Sequence, residues 1–133
     1  MIMQMSPGVA RRLAGVRLVT TDIDDTLLRG DKTISPRTRA TLARAQAAGI
    51  IVVLATARPP RTLREIARDV GIGGLALACN GAIIYDLDRD AVVHHAPIPP
   101  DIARQVIRSL RAALPAIAFA CEASLRFGCE AAY

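Results

Sequence analysis

The run Ile50-Ile51-Val52-Val53-Leu54-Ala55 constrains the fold of this chain more than any other stretch. It is apolar at every position, rich in β-branched residues and without helical period, and Arg58-Pro59 stops it soon after. Such a segment is predicted to be a strand buried on both faces, as in the middle of a parallel sheet with helices above and below. Its neighbours supply the rest of a unit. Residues 16–23 form a second short apolar and β-branched segment, read as a strand that ends in an acidic cluster. Between the two, Ser35-Pro36 offers an N-cap followed by proline at the first helical position, Ala and Leu fill the next turns, and Gly49 provides the stop. The spacing predicts a helix of about thirteen residues. Strand, helix, strand is a βαβ unit.

The pattern then repeats and changes. Residues 62–70 carry Leu63, Ile66, Ala67 and Val70 on one helical stripe closed by Gly71, and residues 75–79 read as a third strand before an Asn80-Gly81 turn. Residues 82–85 and 91–94 flank a polar stretch, Asp86 to Asp90, which predicts a hairpin and a shift to antiparallel pairing. Pro99-Pro100-Asp101 opens a further amphipathic helix through Ile102, Val106, Ile107 and Leu110, and residues 117–121 and 125–129 are read as two short strands.

Composition agrees with helices laid on a sheet. The 133 residues suit a single domain or a piece of one, and 52% are hydrophobic although only two Tyr, two Phe and no Trp occur. The core is therefore built from Ala, Val, Ile and Leu. The net charge of +5 comes from Arg scattered through the helical stretches, with Lys32 the one lysine, which reads as a solvated surface and not a nucleic-acid footprint. Arg11-Arg12 follow the mildly apolar start of the chain instead of preceding it, and no apolar run reaches membrane-spanning length. A cytoplasmic protein with neither nucleic acid nor membrane as partner is expected. Cys79, Cys121 and Cys129 are odd in number and lack C-x-x-C spacing, so reduced thiols are expected.

Chemistry is concentrated where the first strand ends. Asp22, Asp24 and Asp25 lie within four positions, and in extended geometry Asp22 and Asp24 point to the same side. Two carboxylates so close repel unless a cation separates them or one holds a proton, and a hard dication such as magnesium favours oxygen ligands. A phosphoryl group completes the set, with Asp22 as in-line nucleophile and Asp24 as acid and base if its pKa is raised toward neutrality. Thr56, at the tip of the next strand, can donate to a phosphate oxygen, as can backbone N–H groups of the Asp24-Asp25 turn. Arg58 can steer phosphate or pair with an acid, and Asn80-Gly81 can contact substrate or only turn the chain. His94 and His95, adjacent on a strand, point to opposite faces and are read as surface residues.

These stretches resemble the haloacid dehalogenase superfamily of phosphohydrolases, specifically its Cof-type branch. VTTDIDDTLL looks like the family's first motif, a strand followed by D-x-D-x-T. SPRTRATLARAQAAGIIVVLATARP looks like the segment that ends in its second, T-G-R, motif, and CNGAIIYD is similar to the N-G-A turn of the branch. The resemblance implies an α/β fold with a parallel Rossmannoid sheet and a magnesium-dependent phosphatase. Asp22 would be nucleophile and metal ligand, Asp24 acid, base and metal site member through its backbone carbonyl, and Thr56 a phosphate ligand. Asp25 stands where many members have Gly, and Ala57 replaces the usual Gly of the second motif. The third-motif Lys and the fourth-motif acidic pair have no counterpart, since Lys32 lies in the wrong loop and no acidic pair after Asp90 has the right context.

The resemblance divides the chain into an N-terminal extension, residues 1–15, the N-terminal part of a core, 16–95, and the beginning of an α/β cap, 96–133. The expectation is a truncated member of the family acting on a small phosphorylated metabolite such as a sugar phosphate. An open sheet edge would offer a surface for self-association. The alternatives are a non-catalytic remnant and, with fewer matching strands before the acidic cluster, a receiver-like phosphoacceptor domain.

Overall fold

The computed structural model describes residues 15–133. All but Gly15 of the expected N-terminal extension lies outside the described residues. The elements follow the order β1 (Leu18–Thr21), α1 (Pro36–Ala47), β2 (Ile51–Ala55), α2 (Pro60–Val70), β3 (Leu75–Ala78), β4 (Ile83–Asp86), β5 (Ala91–His95), α3 (Pro100–Ala113), β6 (Ala120–Ala123) and β7 (Arg126–Cys129), with a single 3-10 turn at Cys79–Gly81. β1 to β5 form one sheet in sequence order, and β6 and β7 pair separately. β1, β2 and β3 are parallel, in register Leu18↔Ile51 and Leu54↔Ala76, whereas β4 and β5 run antiparallel. This is the expected α/β architecture, a mixed sheet with flanking helices.

Local chemistry explains the boundaries. Ser35 caps α1 by accepting from the Thr38 N–H at 2.9 Å, and Pro36 follows it at a position whose N–H would be unpaired anyway. α2 ends at Gly71, whose φ of +79° lets the N–H groups of Gly71 and Ile72 fold back on the Ala67 carbonyl. Leu63, Ala67 and Val70 of α2 are buried, as the stripe predicts, with Ile66 partly so.

Strand alternation places the core on one face. Val52, Leu54, Ala76 and Ala78 point into a cluster with Leu63, Ala67 and Val70, closed by Ile23, Leu27, Leu28 and Ile34 from the loop after β1. Leu42 and Ala45 of α1 pack on the same cluster, so both helices cover the same face. The expectation of a strand buried on both sides is therefore corrected. Among the described residues the opposite face is bare, with Ile51 61%, Leu18 53% and Leu75 48% exposed. Consecutive strand order has this consequence, since right-handed crossovers that all step one way across a sheet set their helices on one side. The apolar stripe of α3, Ile102, Val106 and Leu110, is likewise exposed. No helix among the described residues is long and apolar enough to cross a membrane.

Candidate active site

The parallel strands β1, β2 and β3 end side by side, and the loops leaving their carboxyl ends meet there. Pairing of Thr21 with Leu54 and of Ala55 with Leu77 sets Asp22, Thr56 and the Cys79–Gly81 turn around one opening. A cavity of about 310 Å³ results, lined by Asp22, Ala55, Thr56, Ala57, Leu77, Asn80 and Gly81. The loops are stitched through their backbones: the Thr56 N–H donates to Leu77 O, the Asn80 N–H to Thr56 O and the Cys79 N–H to Arg58 O, all at 2.9–3.0 Å.

The acidic loop is not the extended segment expected from the spacing. β1 ends at Thr21, and Ile23 turns inward, fully buried, while its carbonyl accepts from the N–H groups of Leu27 and Leu28. Burial of one apolar side chain between two acids anchors the loop while both acids stay outside. Asp25 sits at φ +56°, a left-handed conformation that Asp tolerates and Gly adopts freely.

Asp22 is exposed and lines the cavity; the Thr26 hydroxyl donates to its Oδ2 at 3.3 Å. Sequence reasoning gives Thr26 no role, and its position four residues on is the signal that links it to Asp22. Thr56 is buried, and its hydroxyl oxygen accepts from the Arg58 N–H at 3.1 Å, which leaves the O–H free to donate into the cavity. Ala57 has no positive φ, so its Cβ adds no strain to the loop. Cys79, Asn80 and Gly81 have φ of +51°, +56° and +89°. A left-handed conformation costs a non-glycine residue roughly 1–2 kcal/mol, so this turn is held against its own preference by the strands around it.

Asp24 lies beside the cavity and not in its lining. Arg58 grips it with Nε to Oδ2 and Nη2 to Oδ1, both 2.7 Å, and Lys32 Nζ reaches Oδ1 at 3.0 Å. The Arg58 guanidinium, with the Lys32 ammonium behind it, holds the Asp24 carboxyl well below the usual carboxylate range. The condition for acid–base work, a pKa raised toward neutrality, is not met while this bridge is closed. Lys32, with φ +64°, reaches the flank of the site through Asp24. Lys32 contacts Asp24 and not Asp22. Of the expected site residues the structure thus gathers Asp22, Thr56, Asn80 and Gly81 around the cavity, with Asp24 and Arg58 as a charged flank that Lys32 joins, and Asp25 exposed at the turn.

Oxygen donors for a hard cation are present. The Asp22 carboxylate carries one long hydrogen bond, and no backbone N–H of the described residues bonds to the Asp24 carbonyl. Both suit magnesium, which retains several waters and takes one or two protein oxygens. A larger cavity of about 430 Å³ lies elsewhere, between the end of α2 and the β4–β5 turn, and of its four charged lining residues all but Arg68 already bond to the protein. Arg64 pairs with Asp90, and Asp88 accepts from the Gly74 N–H at 2.9 Å.

Comparison with known proteins points the same way as the motifs. The sequence profile of the haloacid dehalogenase-like hydrolases matches residues 19–125. The chain is 32% identical over 94 residues to the pyridoxal phosphate phosphatase YbhA of Escherichia coli (strain K12), covering 71% of this chain and 35% of that protein. It is 32% identical over 93 residues to the HMP-PP phosphatase of Serratia proteamaculans (strain 568), covering 70% and 34%. Among solved structures, a haloacid dehalogenase-like hydrolase from B. subtilis superposes with a TM-score of 0.66 at 30% identity, over 74% of this chain and 34% of that one. The chain spans about a third of the length of the curated relatives it matches.

Proposed function

The chain belongs to the haloacid dehalogenase-like hydrolases, and we propose that its site hydrolyses phosphomonoesters of small metabolites, a sugar phosphate for example, through an aspartyl phosphate on Asp22. The observation that carries this reading is the cavity in which an exposed carboxylate, a free hydroxyl and the Asn80–Gly81 turn converge. An Asp22 oxygen attacks phosphorus, the bond from phosphorus to the ester oxygen breaks, and the departing alkoxide takes a proton. Water then attacks the same phosphorus, losing a proton, and the bond to Asp22 breaks to release inorganic phosphate. Thr56 donates to a phosphate oxygen throughout. The Asp22 carboxylate and the Asp24 backbone carbonyl would hold magnesium, which would supply charge neutralisation for the phosphoryl oxygens.

Asp24 is the proton carrier in this scheme. Its carboxylate is bridged as it stands, so the Arg58 pair must open first, and an entering phosphate dianion offers the guanidinium fork an equivalent partner. Residues 16–95 are assigned to the core and 96–133 to the cap. The three thiols, all free, suit a cytoplasmic setting, and the edge of β1, unpaired among the described residues, is the surface through which a second copy would pair.

The test is a panel of phosphoesters with magnesium and the purified chain, beside Asp22→Asn. Turnover that disappears in the variant supports the reading, and no turnover above the variant on any ester removes it. The bridged state of Asp24 favours one second reading, a unit that binds phosphate without turnover. Calorimetric binding of phosphate with no hydrolysis would select it.

A further inference from the structure

Arg61 ties the β6–β7 hairpin to α2, and Arg111 of α3 pairs with Glu130 directly after the hairpin. Glu122 and Phe127 are register partners, so their side chains share a face of the hairpin. Arg61 engages both: Nη1 lies 2.7 and 2.8 Å from the two Glu122 carboxylate oxygens, and the guanidinium carbon lies 4.9 Å from the centre of the Phe127 ring. Arg61 is the second residue of α2, three beyond Arg58. Cys79, partly buried against the core cluster, is close enough to this pair for both charges to act on its thiol, whose pKa is raised by burial and then by the Glu122 carboxylate. Cys79 begins the turn that carries Asn80 and Gly81, the two residues it contributes to the cavity wall.

We propose that Arg61 is a clasp that holds the β6–β7 hairpin over Cys79, beside the mouth of the Asp22–Thr56 cavity, and so positions Glu122 and Phe127 toward whatever group a bound phosphate carries. Arg61 is a positioning residue, since it acts through the hairpin and lines no part of the cavity. A carboxylate on one side and an aromatic face on the other satisfy the guanidinium in two ways at once, and neither partner replaces the other. The outlet toward substrate rests on the phosphatase reading; the clasp does not.

The experiment follows Cys79 in a chain carrying Cys121→Ser and Cys129→Ser, by the rate of iodoacetamide alkylation at pH ~8. Opening of the hairpin in Arg61→Glu and in Glu122→Arg raises the rate about three- to tenfold each, and the double swap Arg61→Glu/Glu122→Arg brings it back toward the parent. Charge alone cannot mimic this. Replacing Arg61 by an acid without opening would raise the thiol pKa and slow the reaction, whereas replacing Glu122 by a base would speed it. Arg61→Gln, which deletes both contacts without adding a like charge, gives the same rise as Arg61→Glu. Unchanged rates, rates of opposite sign in the two single variants, or a swap that fails to restore protection overturn the clasp. In the phosphoester assay Arg61→Glu raises KM and leaves kcat nearly unchanged. If no variant turns over substrate while the thiol rates still move as stated, the phosphatase reading fails and the clasp stands.

Discussion

Arg58 binds Asp24 through both arms of its guanidinium, each at 2.7 Å, across 34 residues of sequence. The pair joins the loop after β1 to the loop after β2, and so fixes the two halves of the site relative to each other. Fork-shaped binding of a carboxylate is also the geometry with which a guanidinium meets phosphate.

The first prediction concerns that pair. Arg58→Ala removes the phosphate-steering charge and frees the Asp24 loop, and kcat/KM on a phosphoester falls about a hundredfold, a typical loss for one charge-assisted donor. Arg58→Lys recovers only part of it, because an ammonium replaces the fork by a single point of contact. Steady-state kinetics of the three chains check this; a lysine variant equal to the parent would show that geometry is unimportant.

Stability in acid reports on a different contact. The Tyr85 hydroxyl and the Arg64 guanidinium hold the Asp90 carboxyl below its ordinary value, Tyr85 the larger cause. A carboxylate with a folded pKa below its unfolded one contributes stability that is fully present above the unfolded value, about 3.9, and lost as pH falls through the folded one. Asp90→Asn therefore lowers the urea midpoint at neutral pH, and parent and variant converge as the pH drops below 4. Denaturation at a series of pH values measures it, and a constant gap between the two chains down to pH ~2 would refute the assignment.

Much of this structure was legible in the residues and some was not, for identifiable reasons. Val52 and Leu54 belong to a strand by their side-chain chemistry alone, and Ser35 and Gly71 cap helices through bonds to neighbours a few positions away. Local information suffices for both. That Asp22 and Thr56 come together is legible because strand ends in a parallel sheet converge, a rule of topology. That Arg58 can pair with an acid is legible, but that the acid is Asp24 and that Lys32 joins it are not, since both depend on where Ile23 buries itself and on how the loop returns. Nor was the bare sheet face: the composition of β2 states that both sides are apolar, and only the shared side of α1 and α2 states which one they cover.

That face yields a paired prediction. Leu63 is fully buried on the covered side, and Leu63→Ala destabilises this chain by about 2–5 kcal/mol through lost burial and the cavity left behind. Ile51 lies on the exposed side, and Ile51→Ser shifts stability by no more than about 0.5 kcal/mol. Urea unfolding of both variants decides it. A large loss at Ile51 would mean that something covers the strand in solution.

The last prediction isolates backbone strain at the cavity wall. Gly81 has φ of +89°, and a Cβ built on it meets no atom within 4 Å. Any cost of Gly81→Ala is therefore conformational and not steric, about 1–2 kcal/mol if φ is kept. Part of that strain is relieved if the turn relaxes, and relaxation displaces the neighbouring Asn80, whose N–H bonds to the Thr56 carbonyl. The expected result is a modest drop in the urea midpoint together with weaker phosphate binding, measured by calorimetry. A variant that loses stability but binds phosphate as the parent does would show that the turn is strained for the fold alone. A variant that loses affinity as well ties the three left-handed residues, Cys79 to Gly81, to the site they border.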